Sequence, residues 1–224
     1  MIKDFDLLQR ANNDYTTIDL EHAEELAYRE LIDSIRYISL GDECGVMGNI
    51  ANIITYKGRF YIQEEQFDRV FIYDDTGRCL KKIDNKGRGP GEYLRIESID
   101  INTEKEELML VDGMSDKLFF YDLDGNFKSI HSIRYFQTEN TLCLRDSVFL
   151  HISAPSQNFG NEGLYGYALV LSKGNENFLK GYRYLPLQVG YKGGGQIFKG
   201  YERSCYHPIY SDTIYQILSH CYII

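Results

Sequence analysis

Four aromatic residues, Phe71, Phe119, Tyr167 and Tyr215, stand 48 positions apart along the chain. Three of them close the same short pattern, as Asp68-Arg-Val-Phe71, Asp116-Lys-Leu-Phe119 and Asp212-Thr-Ile-Tyr215. The first two units align without gaps: Ile53 with Ile101, Phe60-Tyr61-Ile62 with Leu108-Met109-Leu110, and Tyr73-Asp-Asp-Thr-Gly77 with Tyr121-Asp-Leu-Asp-Gly125. Each unit holds four short apolar runs separated by Gly- and Asp-containing turns, the pattern of antiparallel strands joined by tight connections. A fixed period of roughly 40–50 residues made of strands is the mark of blades stacked around an axis. The predicted fold is therefore all-β, a β-propeller with four-stranded antiparallel blades.

Blades are predicted over about 46–84, 95–133, 140–185 and 196–224, the last missing most of its fourth strand. Residues 1–33 read as a polar segment with a short helix over Asp19–Asp33, where Leu20, Ala23, Ala27 and Leu31 recur at helical spacing behind Asp19 as N-cap. Residues 34–40 then read as a strand. The third unit keeps the register only in its later half, which leaves long Gly-, Asn- and Tyr-bearing loops at Ser153–Gly163 and Leu187–Gly195. Such loops on a rigid sheet scaffold are where binding residues concentrate.

Aromatics make up 14% of the chain, as 19 Tyr and 12 Phe with no Trp, a bias that suits half-buried pleated surfaces. A net charge of −9 without a basic stripe excludes nucleic acid as a partner, because such a surface repels phosphate. The five cysteines (Cys44, Cys79, Cys143, Cys205 and Cys221) are scattered and lack a CxxC pair. They read as small buried hydrophobes, without a disulfide framework or a zinc site. No apolar run is long enough for a transmembrane helix. The N-terminus shows no signal peptide, so the chain as written is expected in the cytoplasm.

The glycine-rich Gly87-Arg-Gly-Pro-Gly-Glu92 lacks the Gly-Lys-Ser/Thr ending of a phosphate loop, so its glycines read as turn formers between blades. Arg88 and Glu92 remain candidates for ligand contact there. Asp74-Asp-Thr-Gly77 and Asp122-Leu-Asp-Gly125 lack the later acidic ligands of a calcium loop and read as hairpin turns. Asp68, Asp116 and Asp212 recur at equivalent positions and have two readings, as turn caps or as carboxylates converging on a channel to hold Ca²⁺. His151 alternates within a strand and reads as a channel residue or as a satisfied core or surface residue. No HExxH or GxSxG is present, so no catalytic motif is expected.

With the Lys86–Tyr93 stretch (GxGPGEY), the Tyr-Asp-x-Asp-Gly turn and Asp-Thr-Ile-Tyr, the sequence resembles the six-bladed β-propeller proteins of Bacteroides-type bacteria. These are related in architecture to NHL and TolB-like propellers, and the resemblance covers roughly Ile32 to Ile217. It implies an exported protein of the periplasm, or an outer-membrane lipoprotein. By that standard the chain is a truncated product with about four of six blades, in which residues 34–40 are the ring-closing strand. The expected function is non-enzymatic: a binding or scaffold propeller for a carbohydrate, peptide or protein, contacted through Arg88, Glu92, Asn158, Tyr165 and Tyr191. No cofactor is expected. The alternative is a propeller hydrolase or lyase with a channel-bound divalent metal on Asp68, Asp116 and Asp212. Open strand edges are expected to favour self-association.

Overall fold

The computed structural model describes residues 3–4, 32–133, 138–144, 148–153, 165–173, 177–184, 195–199, 204–208 and 214–217. These form four separate antiparallel sheets. The first holds β2 (Ile50–Tyr56), β3 (Arg59–Glu64), β4 (Arg69–Asp74) and β5 (Cys79–Ile83); the second holds β6 (Ser98–Asn102), β7 (Glu107–Asp112), β8 (Lys117–Asp122) and β9 (Phe127–Ser132). The third is built from β10 (Asn140–Cys143), β11 (Val148–Ile152), β12 (Tyr167–Lys173) and β13 (Asn177–Tyr184). The two-residue β1 (Lys3–Asp4) joins β13 in parallel, at Lys180 and Gly181. The fourth sheet has β14 (Gln196–Lys199), β15 (Ser204–His207) and β16 (Tyr215–Ile217). The helix read over Asp19–Asp33 lies outside the described residues, apart from its last two positions.

Each sheet runs in simple up-and-down order, and the first strands of neighbouring sheets adjoin, β2 beside β6 and β6 beside β10. The core lies between the sheets, as it must when flat elements bury both faces. Tyr61, Val70, Ile72 and Ile83 of the first sheet meet Tyr93, Ile99, Leu110, Phe119 and Tyr121 of the second sheet and its entry loop. Met109, Leu118, Phe120 and Ile133 meet Phe149 of the third sheet. Leu150, Leu169 and Leu171 of the third sheet meet Tyr206 and Ile217 of the fourth. This layering is that of a β-propeller, with the sheets as blades.

The 48-residue period places Phe71, Phe119, Tyr167 and Tyr215 on the third strand of their blades. Its physical basis is visible at Asp68 and Asp116, which start these strands with positive φ of 57° and 53°. Asp tolerates this left-handed conformation better than most residues, because its short side chain bonds locally. In the third blade the phase slips. Leu169 faces the fourth blade, whereas Tyr121, 48 positions earlier, faces the first. A one-residue slip exchanges the two faces of a strand, and the slipped blade is the one that lacks the Asp-x-x-aromatic pattern.

One expectation is corrected. Cys44 and Cys79 are joined in a disulfide with Cα atoms 6.0 Å apart and 35 positions between them in sequence. Scatter along the chain gave no sign of the pair, because Cys44 reaches Cys79 by folding back over the first blade. Cys143 Sγ lies 3.4 Å from Met109 Sδ, where the second and third blades meet. Residues 34–40 make no ladder with a described strand and lie against the β4–β5 turn. There the Gly41 amide donates to the Gly77 carbonyl at 2.8 Å, and Arg36 Nη2 to the Asp75 carbonyl at 2.6 Å.

Candidate functional site

Because the strands alternate in direction, the β2–β3 and β4–β5 turns and their equivalents emerge on one side of the blades, the hairpin face. The β3–β4 turns and the links from blade to blade emerge on the other, the connection face. Arg88 and Glu92 lie in the link from β5 to β6, and Tyr165 precedes β12, so all three stand on the connection face. Asn158 and Tyr191 lie outside the described residues.

The Lys86–Tyr93 loop is built around its own last two residues. Tyr93 is fully buried between the first two blades; its hydroxyl donates to the Asp68 carbonyl at 2.8 Å and accepts from the Asn85 amide at 3.1 Å. The Gly87 amide returns to the Tyr93 carbonyl at 2.9 Å. The Glu92 carboxylate folds back to accept the Gly89 amide at 2.7 Å. A Cβ at Gly87 would lie 2.0 Å from that carboxylate, so the glycines make room for Glu92. The backbone concavity is thus already filled by a carboxylate from within the chain, and Arg88 is left exposed at its tip.

The acids of this face are engaged in similar ways. Asp68 accepts the Ile96 amide at 3.1 Å and pairs with Lys86, which ties the first blade to the entry of the second. Asp112 accepts the Leu94 amide at 2.7 Å and the Met114 amide at 3.0 Å. Burial, and then the neighbouring Asp112, push the Asp116 carboxyl up from the ordinary range. Glu97 is raised in the same direction, by burial first and also by Asp68, Asp112 and Glu139, against the opposing pull of Arg95. Among the described residues no three His, Cys, Asp or Glu side chains form a metal-holding group. Asp212 lies outside the described residues.

The two Asp-x-x-Gly turns use their carboxylates internally. Asp74 Oδ1 accepts the Thr76 hydroxyl at 2.6 Å and the Thr76 and Arg78 amides at 3.0 Å each. The Thr76 hydroxyl, followed by these amides, pushes the Asp74 carboxyl down to about 2. Asp122 makes the equivalent bonds to the Asp124 and Asn126 amides. His151 is a core residue: it has no exposure and lies between Thr141 Oγ1 at 2.9 Å and Ser172 Oγ at 2.7 Å.

A cavity of about 440 Å³ opens on the hairpin face where the first two blades meet, lined by Lys57, Arg59, Tyr61, Glu106, Asp122, Leu123 and Asp124. Its charges neutralise one another across the junction. Lys57 pairs with Glu106, and Arg59 Nη1 reaches Asp124 Oδ1 at 2.7 Å and the Leu123 carbonyl at 2.9 Å. Sequence reasoning missed this junction. Its sequence signal is opposite charge near turns, with Lys57 and Glu106 49 positions apart and Arg59 and Asp124 65 apart, a weak cue on a surface with many dispersed charges. Chemically it locks two blades together.

A family model described as a domain of unknown function, DUF4934, matches residues 15–220. The chain belongs to that family. No curated protein matches it. Among solved structures it is similar to a protein of Bacteroides fragilis NCTC 9343 described as exported, at 18% identity and a TM-score of 0.72, covering 83% of this chain and 52% of that one. It is also similar to a streptogramin B lyase at 10% identity and a TM-score of 0.52, covering 78% of this chain and 53% of that one. A third likeness is to U3-55K at 10% identity and a TM-score of 0.50, covering 78% and 50%. The DUF4934 chain therefore spans about half the length of these structures. At such identities what is shared is the propeller fold. No helix among the described residues is long and apolar enough to cross a membrane.

Proposed function

We propose that this DUF4934 chain is the binding part of an exported, six-bladed propeller that holds a carbohydrate, peptide or protein on its connection face without transforming it. One observation carries the reading. The strand ends that flank the Arg88 loop and the two long loops (Ile152 and Tyr167, Tyr184 and Gln196) all open on that face. On this reading Glu92 rigidifies the loop and Arg88 meets the ligand, joined by Asn158, Tyr165 and Tyr191. The Cys44–Cys79 disulfide supports export, since disulfides persist in oxidising compartments.

The same reading takes residues 34–40 as the strand that completes a ring. Gly77 and Gly125 are equivalent, with φ of 88° and 81°. A Cβ at Gly125 would meet Ile72, Lys81 and Ile83 of the preceding blade, while one at Gly77 would meet Ser39 and Ile38. Residues 38–39 thus stand at the first blade where the outer strands of the first blade stand at the second.

The test is a glycan array and a peptide array probed with the full chain. A hit should lose at least about tenfold in affinity, roughly 1.4 kcal/mol, in an Arg88→Ala/Tyr165→Ala double variant. Loss of binding on Arg59→Ala instead, at the hairpin face, would overturn the placement.

A further inference from the structure

We propose that the Cys44–Cys79 disulfide is a redox-released clasp, which holds residues 36–48 over the outer face of the first blade and frees them on reduction by a dithiol. The inference stands apart from the ligand-binding reading. The covered face is apolar: Ile62, Phe71, Tyr73 and Cys79 form a cluster over which Cys44, Met47 and Phe60 pack. These residues are the counterparts of those that the second blade buries against the first; Phe71 corresponds to Phe119 and Tyr73 to Tyr121. The cover itself is thin. Tyr37 is 92% exposed and Val46 84% exposed, so the segment buries little of its own surface.

Apart from the disulfide, few bonds hold it. Gly41 and Arg36 donate to the β4–β5 turn, the Tyr73 hydroxyl donates to the Gly41 carbonyl at 3.2 Å, and the Cys79 amide donates to Glu43 Oε2 at 3.3 Å. The Arg36 bond is exposed, and those of Tyr73 and Cys79 are part-buried. The covalent link is therefore the restraint that decides whether the cover stays.

The two sulfurs differ in access. Cys44 is half-buried and followed by Gly45, around whose Cα side nothing lies within 4 Å, while Cys79 is 9% exposed. A thiolate of the dithiol attacks Cys44 Sγ, the S–S bond breaks, and Cys79 leaves as a thiolate that takes up a proton. The second thiol of the reductant attacks the mixed disulfide and expels the Cys44 thiolate, which is protonated in turn; the reductant departs as its own disulfide. Two electrons and two protons pass from the dithiol to the cystine, and attack falls on the more accessible of its two cysteines.

The experiment is hydrogen exchange by mass spectrometry on the full chain, before and after incubation with dithiothreitol, with differential alkylation to count the reacted cysteines. Expected are blocked Cys44 and Cys79 before reduction, protection across 36–48 lowered at least about tenfold afterwards, and β7 and β8 unchanged within about twofold. Binding of an apolar dye should rise in step. Cys44→Ser should reproduce the reduced pattern without a reductant, and if that variant does not fold, the dithiol arm on the unaltered chain decides. Alkylation of Cys44 and Cys79 without reductant, unchanged protection at 36–48 after reduction, or equal loss of protection in β7 and β8 would each overturn the proposal.

Discussion

At His151, loss of solvent lowers the imidazole pKa to about 3, and the ring stays neutral between two hydroxyls that can each donate or accept. In the unfolded chain the same ring titrates near 6.5. Between these values the unfolded state binds a proton that the folded state refuses, so stability is full above pH 6.5 and falls as the pH drops towards 3. His131, also lowered by burial, acts in the same direction. Glu97 and Asp116, both raised, act oppositely: their contribution is present below their unfolded values and is lost as the pH rises through the folded ones. His151→Gln keeps a donor and an acceptor but cannot titrate. Urea midpoints at pH 7, 5.5 and 4.5 should therefore fall less steeply in the variant, by about 1.4 kcal/mol for each pH unit below 6.5. An unchanged slope would show that His151 is protonated in the fold. Tyr93 offers a second measurement. Tyr93→Phe removes a buried hydroxyl that both donates to Asp68 and accepts from Asn85, and should cost about 1–3 kcal/mol in the same denaturation assay.

Among the elements, the Asp-x-x-Gly hairpins do more than reverse the chain, because each places a glycine against its neighbour. Gly125→Ala puts a methyl 2.9 Å from Ile72 Cδ1 and Lys81 Cγ, at a φ that disfavours any side chain. Gly77→Ala meets the Ser39 carbonyl oxygen at 2.1 Å. The first should lower global stability by about 1–3 kcal/mol, since it strains the junction of two blades. The second should chiefly raise hydrogen exchange at 36–41, since that segment can move away. Equal exchange profiles would show that the segment is not held by the turn. The hairpins were legible in the sequence because turn chemistry is local: Asp74 and Gly77, or Asp122 and Gly125, announce themselves within four residues. The blades were legible because the period repeats that local signal. The disulfide was not, since nothing in the spacing of Cys44 and Cys79 states that the chain folds back. The apolar alternation of residues 34–40 fits a strand, but alternation alone does not name the edge it would join. In the candidate site, the GxGPGEY loop was readable as a turn, while the inward fold of Glu92 depends on Gly87 and Gly89 acting together. The Lys57–Glu106 and Arg59–Asp124 pairs arise only when two blades dock.

For the whole molecule, the comparison of β2 with β6 matters most. They occupy the same place in consecutive blades, yet all five residues of β6 are buried and the first four of β2 are exposed. Ile50 at 48% and Ile53 at 52% exposure, with Ile35, Tyr37 and Val46 nearby in sequence, leave apolar surface at this end of the blades. Large apolar surface of this kind drives association. A net charge of −9 opposes it, because like-charged copies repel until salt screens them. The screening length falls from about 20 Å to about 4 Å between roughly 0.02 and 0.5 M salt. Sedimentation velocity of the chain across that range should show mass rising with salt and with protein concentration. Ile53→Lys adds a charge at the centre of the exposed strand and should hold the chain monomeric at both ends of the range, with its circular dichroism unchanged. If the unaltered chain stays monomeric at high salt, the apolar end is covered within a single molecule, and residues 34–48 would then have to cover more of β2 than the exposed Ile50 and Ile53 allow.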